Sequence, residues 1–159
     1  MYRAMLFAVF LILSGCATSY QKDGFSGGFE ETQLGTNKWR VTFAGNGYTR
    51  ASRATDLALL RCADLTLQQG YKYFVITSGV SDMSHSAYTA PTTATTNVYG
   101  NTAYTNFSGG GTMIISKPSS ENTIIMLKEK PDNIQDFYEA EFVCKSIGLK
   151  YDARCGLIR

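Results

Sequence analysis

The fold follows from the stretch ATDLALLRCADLTLQQGYKYFVI, residues Ala54–Ile76, whose hydrophobic period changes at Gly70. Before the glycine, apolar residues recur at helical spacing, which predicts a helix over Ala51–Gln69 that ends at Gly70. After it, the four consecutive apolar residues from Tyr73 to Ile76 are typical of a buried inner strand. The stretch therefore predicts a helix followed directly by a strand of a sheet.

The predicted helix is apolar on two sides, and one of its two stripes has small side chains that allow a close neighbour. Such a helix should be covered on both sides, so we expect the sheet on one side and a second helix on the other. Thr49 or Ser52 can cap its first turn. One stripe consists of Ala51, Ala54, Ala58, Cys62 and Leu65, and the other of Leu60, Ala63 and Leu67.

The remaining elements lie on either side of this unit. Lys38–Phe43 alternates apolar and polar residues, which predicts a strand with one wet face. Met113–Ile115 and Ile124–Leu127 are short apolar runs that favour strands, and helical spacing returns over Ile134–Ile147, with Asp132 as a cap. We therefore expect an α+β domain with one mixed β-sheet covered by two helices, in the order β-α-β-(hairpin insert)-β-β-α.

An insert of unusual composition occupies residues 83–111. From Met83 to Ser116 the chain has no Asp, Glu, Lys or Arg. Gly100-Asn101 lies between β-prone residues, which favours a type II′ hairpin. One interpretation is a mobile loop or protruding hairpin without a function. The other is a contact surface for an envelope protein or a glycan, because its tyrosines and Phe107 offer aromatic area. Low charge and high β-propensity also favour self-association.

The beginning of the chain has the pattern of an export signal. Arg3 precedes the apolar run Ala4–Leu13. As a helix this run is roughly 15 Å long, about half of a hydrocarbon core, so a permanent span is not expected. Small residues and then Cys16 follow, as in a secretory signal.

Leu13-Ser14-Gly15-Cys16 resembles the bacterial lipobox. The resemblance implies cleavage before Cys16, a diacylglycerol on its thiol and an acyl chain on its new amine, which exceeds what stable anchoring needs. The alternative is an ordinary signal with a chance cysteine. Ala17 stands where inner-membrane lipoproteins often have Asp, which implies an outer-membrane anchor that faces the periplasm. We expect a signal peptide over 1–15, a flexible tether over 16–28 and one domain over 29–159.

Three cysteines remain once Cys16 carries lipid. They are Cys62, Cys144 and Cys155, and an oxidising periplasm permits one disulfide among them. Cys144 and Cys155 are the nearest pair, and a bridge between them would contribute about 3 kcal/mol. Cys62 then reads as a small buried hydrophobe. Three free thiols are the alternative.

Charge gives no case for nucleic-acid binding. Loss of Arg3 with the signal leaves 14 basic residues against 13 acidic ones, and no run of Lys or Arg stands out.

Catalytic and metal-binding patterns are missing, so we predict no catalytic residue, no metal and no cofactor. His85 is the only histidine, and Asp82 is the one carboxylate near it in sequence. A serine or cysteine nucleophile would need a fixed base and an orienting carboxylate. There is no CxxC, HExxH or calcium-loop pattern. Glu30-Glu31 and the pair Glu139 and Glu141 are interpreted as solvated charge.

The turn Gly45-Asn46-Gly47 joins the first predicted strand to the helix. Its backbone amides could bind an anion, with Arg50 and Arg53 nearby. A dinucleotide fingerprint would need glycine where Arg50 stands. The alternative is a tight turn that requires positive φ.

From Glu31 to Ile76 the chain is similar to a family of small Gram-negative envelope lipoproteins with no assigned activity. The likeness is carried by ETQL (Glu31–Leu34), RVTFAGNGYT (Arg40–Thr49) and the stretch quoted first, in which Cys62 departs from the usual small residue. It implies a strand, glycine turn, close-packed helix and buried strand, and no catalytic residues.

We therefore expect a non-enzymatic, lipid-anchored envelope lipoprotein that contacts another envelope component. One alternative is a periplasmic binder of a small ligand or anion, or an enzyme, that uses the Gly45–Gly47 turn. Another is an envelope stress sensor.

Overall fold

The structure, a computed structural model, describes residues 17–156 in two units. Of the described residues, one unit takes those up to Met83 and those from Lys117 onward, and the other takes Ser84–Ser116. The first contains a five-stranded sheet and two helices, and the second contains a two-stranded sheet. The signal peptide expected at 1–15 and the lipid site expected at Cys16 lie outside the described residues.

The α+β class with helices covering a sheet is confirmed. The elements are β1 (Gly28–Gln33), β2 (Lys38–Ala44), α1 (Ala51–Gln68), β3 (Tyr73–Thr89), β4 (Thr93–Tyr99), β5 (Thr102–Ser108), β6 (Thr112–Leu127), β7 (Tyr138–Glu139) and α2 (Ala140–Tyr151). The strand order in the larger sheet is β1-β2-β6-β3-β7, and β4 pairs with β5.

The expectation of a mixed sheet is wrong, because the sheet is antiparallel. Helix α1 joins β2 to β3 by the kind of crossover that usually places parallel strands side by side. Here β6 lies between these two strands and pairs with β2 in the antiparallel sense. The crossover therefore produces no parallel neighbours.

The strands differ from the expected ones in two ways. Strand β1 was not expected, and it pairs with β2 from Gly28 opposite Ala44 to Gln33 opposite Trp39. The two short strands expected near Met113 and Ile124 are parts of the single strand β6. Its polar middle stays in the sheet because it pairs with β2, and Ser120 and Asn122 are buried there.

The last helix begins at Ala140 rather than at Ile134. The residues just before it form the short strand β7, which pairs with β3 and stacks Tyr138 on Phe74 with ring centroids 5.1 Å apart. This ring contact and the strand pairing hold the chain extended where its apolar spacing alone favoured a helix.

Helix α1 ends as expected and begins differently. At its end Gly70 has φ +76°, and the N–H groups of Gly70 and Tyr71 bond to the carbonyls of Leu67 and Thr66, each at 3.0 Å. This is the Schellman motif. At its start the cap residue is Arg50, with no side-chain cap, so capping by Thr49 or Ser52 is wrong.

Helix α1 is the centre of the core, as its two apolar stripes predicted. It contacts both β2 and α2. One group of buried residues includes Cys62, Ala63 and Leu65 with the sheet residues Phe74 and Ile124, and a second includes Ala54, Leu57, Ala58 and Leu60 with Phe29 and Phe43. Among the described residues, no helix has the length and apolar content needed to cross a membrane.

The hairpin predicted in the insert is present in the smaller unit. Tyr99 pairs with Thr102, which leaves Gly100 and Asn101 as a two-residue turn. Gly100 has φ +61° and Asn101 does not have positive φ, which is the signature of the predicted type II′ turn.

Candidate functional site

The segment that follows Cys16 is fixed to the domain. Thr18 is only 2% exposed. Its backbone N–H donates to Thr49 Oγ1 at 2.9 Å, its hydroxyl donates to the Ser26 carbonyl at 2.7 Å, and its carbonyl accepts from Arg53 Nε at 3.0 Å. The flexible tether expected over 16–28 is therefore wrong for the described residues, which belong to the larger unit.

The turn Gly45-Asn46-Gly47 already uses backbone amides that an anion would need. The Asn46 N–H donates to Thr18 Oγ1 at 2.9 Å, and the Gly45 N–H donates to the Pro118 carbonyl at 2.8 Å. The Tyr48 N–H donates to Asn46 Oδ1 at 3.0 Å. These donors are satisfied within the protein, so the turn does not offer them as an anion cradle.

Close packing, and not positive φ, explains the first glycine of the turn. Neither Gly45 nor Gly47 has positive φ, so that expectation is wrong. A Cβ atom at Gly45 would lie 2.8 Å from Thr49 Cβ and 3.1 Å from Pro118 Cγ. Because such distances are too short, a side chain at this position would push the turn away from the start of α1.

Basic and tyrosine side chains surround the fixed segment. A cavity of about 390 Å³ opens beside Ala17 and is lined by Ala17, Tyr48, Arg50, Ser52, Arg53, Lys150 and Tyr151. The Arg53 guanidinium lies over the Tyr151 ring at 4.8 Å, and both Lys150 Nζ and the Tyr151 hydroxyl lie 2.7 Å from Asp56 Oδ2. The hydrogen bond to Asp56 raises the pKa of Lys150, and burial followed by the same carboxylate raises that of Tyr151.

A buried charge cluster lies in the middle of α1. Arg61 is 1% exposed and Asp64 is fully buried. The Arg61 guanidinium bonds to Glu31 Oε1 and to Asp64 Oδ2, each at 2.9 Å, and lies over the Phe29 ring at 4.3 Å. Burial by itself lowers the pKa of Arg61, but the hydrogen bond to Glu31 and its other partners more than offset this effect, so that its pKa is raised.

The Asp64 carboxylate accepts hydrogen bonds from distant parts of the chain. Its Oδ2 also accepts the Tyr20 hydroxyl at 2.7 Å, while its Oδ1 accepts Gln68 Nε2 at 3.0 Å and the Gly156 N–H at 2.8 Å. Burial and the carboxylate of Asp64 raise the pKa of Tyr20. With its oxygens occupied in this way, Asp64 is a structural junction and offers no free base.

This cluster was not predicted from the sequence. Glu31 is not solvated charge, because its side chain is 22% exposed and pairs with Arg61. The available signal was a pair of opposite charges at i and i+3 inside a helix expected to be covered on two sides. Side chains in the middle of such a helix are buried, and a buried charged side chain requires an oppositely charged or hydrogen-bonding partner. Glu139 and Glu141 are exposed, as interpreted.

Of the two alternatives for the cysteines, the structure has the bridge and not three free thiols. A disulfide joins Cys144 to Cys155 with their Cα atoms 6.0 Å apart, which brings the next residue, Gly156, to Asp64. Cys62 is free and fully buried, and burial raises the pKa of its thiol to about 12. The thiol is therefore a neutral core group.

His85 has a serine partner in the smaller unit. Its Nδ1 lies 2.8 Å from Ser116 Oγ, and His85 is exposed while Ser116 is half-buried. A serine–histidine pair with an exposed histidine lacks the fixed orientation that nucleophilic catalysis needs. Within residues 17–156, no three His, Cys, Asp or Glu side chains form a group that could hold a metal ion.

The hairpin of the smaller unit has two chemically different faces. Cross-strand pairs place Ala94 opposite Phe107, Thr96 opposite Thr105 and Val98 opposite Ala103, and alternation puts these six residues on one face. The other face carries Thr93, Thr95, Asn97, Tyr99, Thr102, Tyr104, Asn106 and Ser108. Every residue of β4 and β5 is exposed. We call the first set the apolar hairpin face.

The functional interpretation depends on these residues alone. The likeness of Glu31–Ile76 to a family of envelope lipoproteins stays a prediction from the sequence. No protein-family model, no curated protein and no solved structure matches the chain.

Proposed function

We propose that the protein is a non-enzymatic envelope lipoprotein, anchored through Cys16 at the outer membrane on its periplasmic side, which binds another envelope protein through the apolar hairpin face. The lipobox pattern and the apolar run before it support the anchor. The single observation that carries the binding role is an amphipathic hairpin whose largest apolar side chains, Val98 and Phe107, are 67% and 74% exposed.

The apolar hairpin face has the chemistry of a contact surface. Covering a side chain such as Val98 or Phe107 is worth about 1.5–3 kcal/mol each, so two of them supply a substantial part of a specific interaction. An aromatic anchor such as Phe107 is the kind of residue that dominates binding energy. The hairpin has no charge to desolvate when a partner covers it.

The strand edges of the hairpin support a protein partner. Edge strands that avoid pairing usually carry Lys, Pro or inward-pointing charges, and β4 and β5 contain none of these. An extended segment of a partner can therefore add to either edge, with main-chain hydrogen bonds supplying affinity and the apolar face supplying specificity.

A glycan is the second candidate partner, and it would use the opposite face. Tyr99 and Tyr104 lie there with ring centroids 6.3 Å apart. Their rings combine an apolar face with a polar edge, which suits a sugar. This candidate makes a different prediction from the first, because it depends on the tyrosines and not on Val98.

In-cell crosslinking followed by mass spectrometry tests the proposal. Val98→Asp places a charge on the apolar hairpin face, and Asn97→Asp places the same charge on the adjacent position of the opposite face. We expect Val98→Asp to lose the crosslinked partner protein and Asn97→Asp to keep it. A partner retained by Val98→Asp would refute the proposed face. Binding to isolated envelope glycan that is lost on Tyr104→Ala and kept on Val98→Asp would favour the glycan.

The alternative that used the Gly45–Gly47 turn is not carried forward, because Gly45 and Asn46 donate their amides within the protein. The stress-sensor alternative uses the same anchor and the same partner surface. It differs in that loss of the protein would change an envelope stress response, so a deletion phenotype separates it from a constitutive contact.

A further inference from the structure

The segment after Cys16 leaves little freedom between the anchor and the domain. Adjacent Cα atoms are about 3.8 Å apart, so the attachment residue lies within roughly 8 Å of the Thr18 Cα. Thr18 is itself fixed by its bonds to Thr49, Ser26 and Arg53. A flexible tether over 16–28 would instead have allowed a mean separation of about 20 Å. The anchor therefore selects which pole of the larger unit meets the bilayer.

We infer that this pole rests on phospholipid headgroups, through a surface that we call the anchor-side surface: Phe25, Tyr48, Arg50, Arg53 and Lys150. The inference rests on the proposed lipid at Cys16. It adds an orientation and a second, non-covalent membrane contact that the anchor alone does not require.

Exposed aromatic residues mark the surface as interfacial. Phe25 is fully exposed and Tyr48 is 75% exposed. Each lies close in sequence to a residue that bonds to Thr18, since Ser26 follows Phe25 and Asn46 shortly precedes Tyr48. Aromatic side chains at the level of the headgroups are a general feature of membrane interfaces.

Basic residues on the anchor-side surface supply electrostatic attraction to the phospholipid headgroups. Arg50 is exposed, and the Lys150 side chain is 59% exposed although it pairs with Asp56. Arg53 uses Nε for Thr18, and a guanidinium has five N–H donors, so the others can reach a phosphate. Each Lys or Arg close to an anionic leaflet adds electrostatic attraction to the membrane surface. A surface that combines such cations with exposed aromatic rings fits a phospholipid bilayer.

The two ends of helix α1 offer label positions at different expected distances from the membrane. It begins beside the anchor-side surface and runs for 18 residues, which is about 27 Å. Gln69, at its far end, is exposed. A domain seated on the anchor-side surface brings Tyr48 to the headgroups and carries Gln69 away from them.

The test uses the full lipidated protein in vesicles of phosphatidylglycerol and phosphatidylethanolamine, with a quencher on the lipid headgroups. A fluorophore is attached through Tyr48→Cys or, as the matched control, through Gln69→Cys; the native thiol of Cys62 is buried and stays unlabelled. We expect the label at residue 48 to lose most of its emission and the label at residue 69 to keep it. Arg50→Gln should reduce the quenching at residue 48.

Each result decides a separate point. Equal quenching at both positions, or stronger quenching at residue 69, would overturn the orientation while leaving the lipid anchor intact. A protein that does not float with the vesicles would overturn the anchor and the orientation together. If Arg50→Gln leaves the quenching at residue 48 unchanged, the proposed contact between Arg50 and the headgroups is refuted.

Discussion

The Tyr20 hydroxyl donates a hydrogen bond to Asp64 Oδ2 at 2.7 Å, and this bond joins the segment that follows Cys16 to the middle of the buried helix α1. The same carboxylate accepts the Gly156 N–H at 2.8 Å, just beyond the disulfide. Both ends of the described chain therefore meet at one side chain, and Arg61 links that side chain to β1 through Glu31. Through Tyr20, this junction holds the segment that follows Cys16 against helix α1.

Removing the Tyr20 hydroxyl should destabilise the protein. Tyr20→Phe keeps the ring against Phe29 and deletes one hydrogen bond to a buried carboxylate, which we expect to cost about 1.5–3 kcal/mol. Denaturant unfolding measures the change. The exposed Tyr48→Phe is the control and should leave the free energy of unfolding unaltered. Equal effects of the two substitutions would mean that the contact with Asp64 contributes nothing special.

Substitution of Arg61 should lower the free energy of unfolding far more than substitution of a surface arginine. Arg61→Met leaves Asp64 and Glu31 without their cation in a buried site, and we expect a loss of about 3–5 kcal/mol. The matched control is Arg40→Met, which breaks the ion pair with Glu121, whose partners are 48% and 45% exposed. That exposed pair should contribute about 0–1 kcal/mol. A similar loss for both variants, measured by urea unfolding, would contradict the structural role of the cluster.

Alkaline pH should destabilise the protein through Cys62 and Tyr20. Both pKa values are raised on folding, so the unfolded chain loses these protons first and the free energy of unfolding falls as the pH rises. For Cys62 the fall begins near its ordinary pKa of 9.0 and continues to about 12. Urea unfolding across this interval should show a shallower fall for Cys62→Ala than for the native chain. Parallel curves would argue against a buried neutral thiol.

The disulfide should stabilise the protein and support the junction at Asp64. Cys144 and Cys155 are 11 residues apart, and a loop of this size corresponds to about 3 kcal/mol in the chain-entropy model. Reduction, or the paired variant Cys144→Ser with Cys155→Ser, should lower the unfolding midpoint accordingly. Thiol labelling gives a check: the unfolded, unreduced chain should expose Cys62 and neither of the other two. Labelling of Cys144 without reductant would contradict the bridge.

The centre of the fold was predictable because its signals are local. The change of period at Gly70 requires only neighbouring residues, and Gly100-Asn101 specifies its turn through the conformational freedom of one glycine. Strand β1 was missed because its charged residue Glu31 looks solvated until its partner Arg61, thirty residues away, is known. Its apolar anchor, Phe29, stands alone among glycines and acids.

The site was less predictable than the core for the same reason. Thr18 looks like part of a polar tether, and every bond that fixes it to the start of α1 reaches a residue distant in sequence. Because the Asn46 N–H donates to Thr18 Oγ1, the Gly45–Gly47 turn is not a free anion site. It instead helps to fix the segment that follows Cys16. The hairpin was the exception, because a two-residue turn at Gly100-Asn101 sets its register and alternation then gives its two faces.

The central claim is that the protein is held at a membrane by a lipid on its sixteenth residue. The most direct measurement is the mass of the N-terminal peptide of the protein isolated from its native membrane. We expect a peptide that begins at Cys16 and carries a diacylglyceryl thioether and an N-acyl chain. A peptide that begins at Met1, or a Cys16 with an unmodified thiol, would refute the proposed anchor.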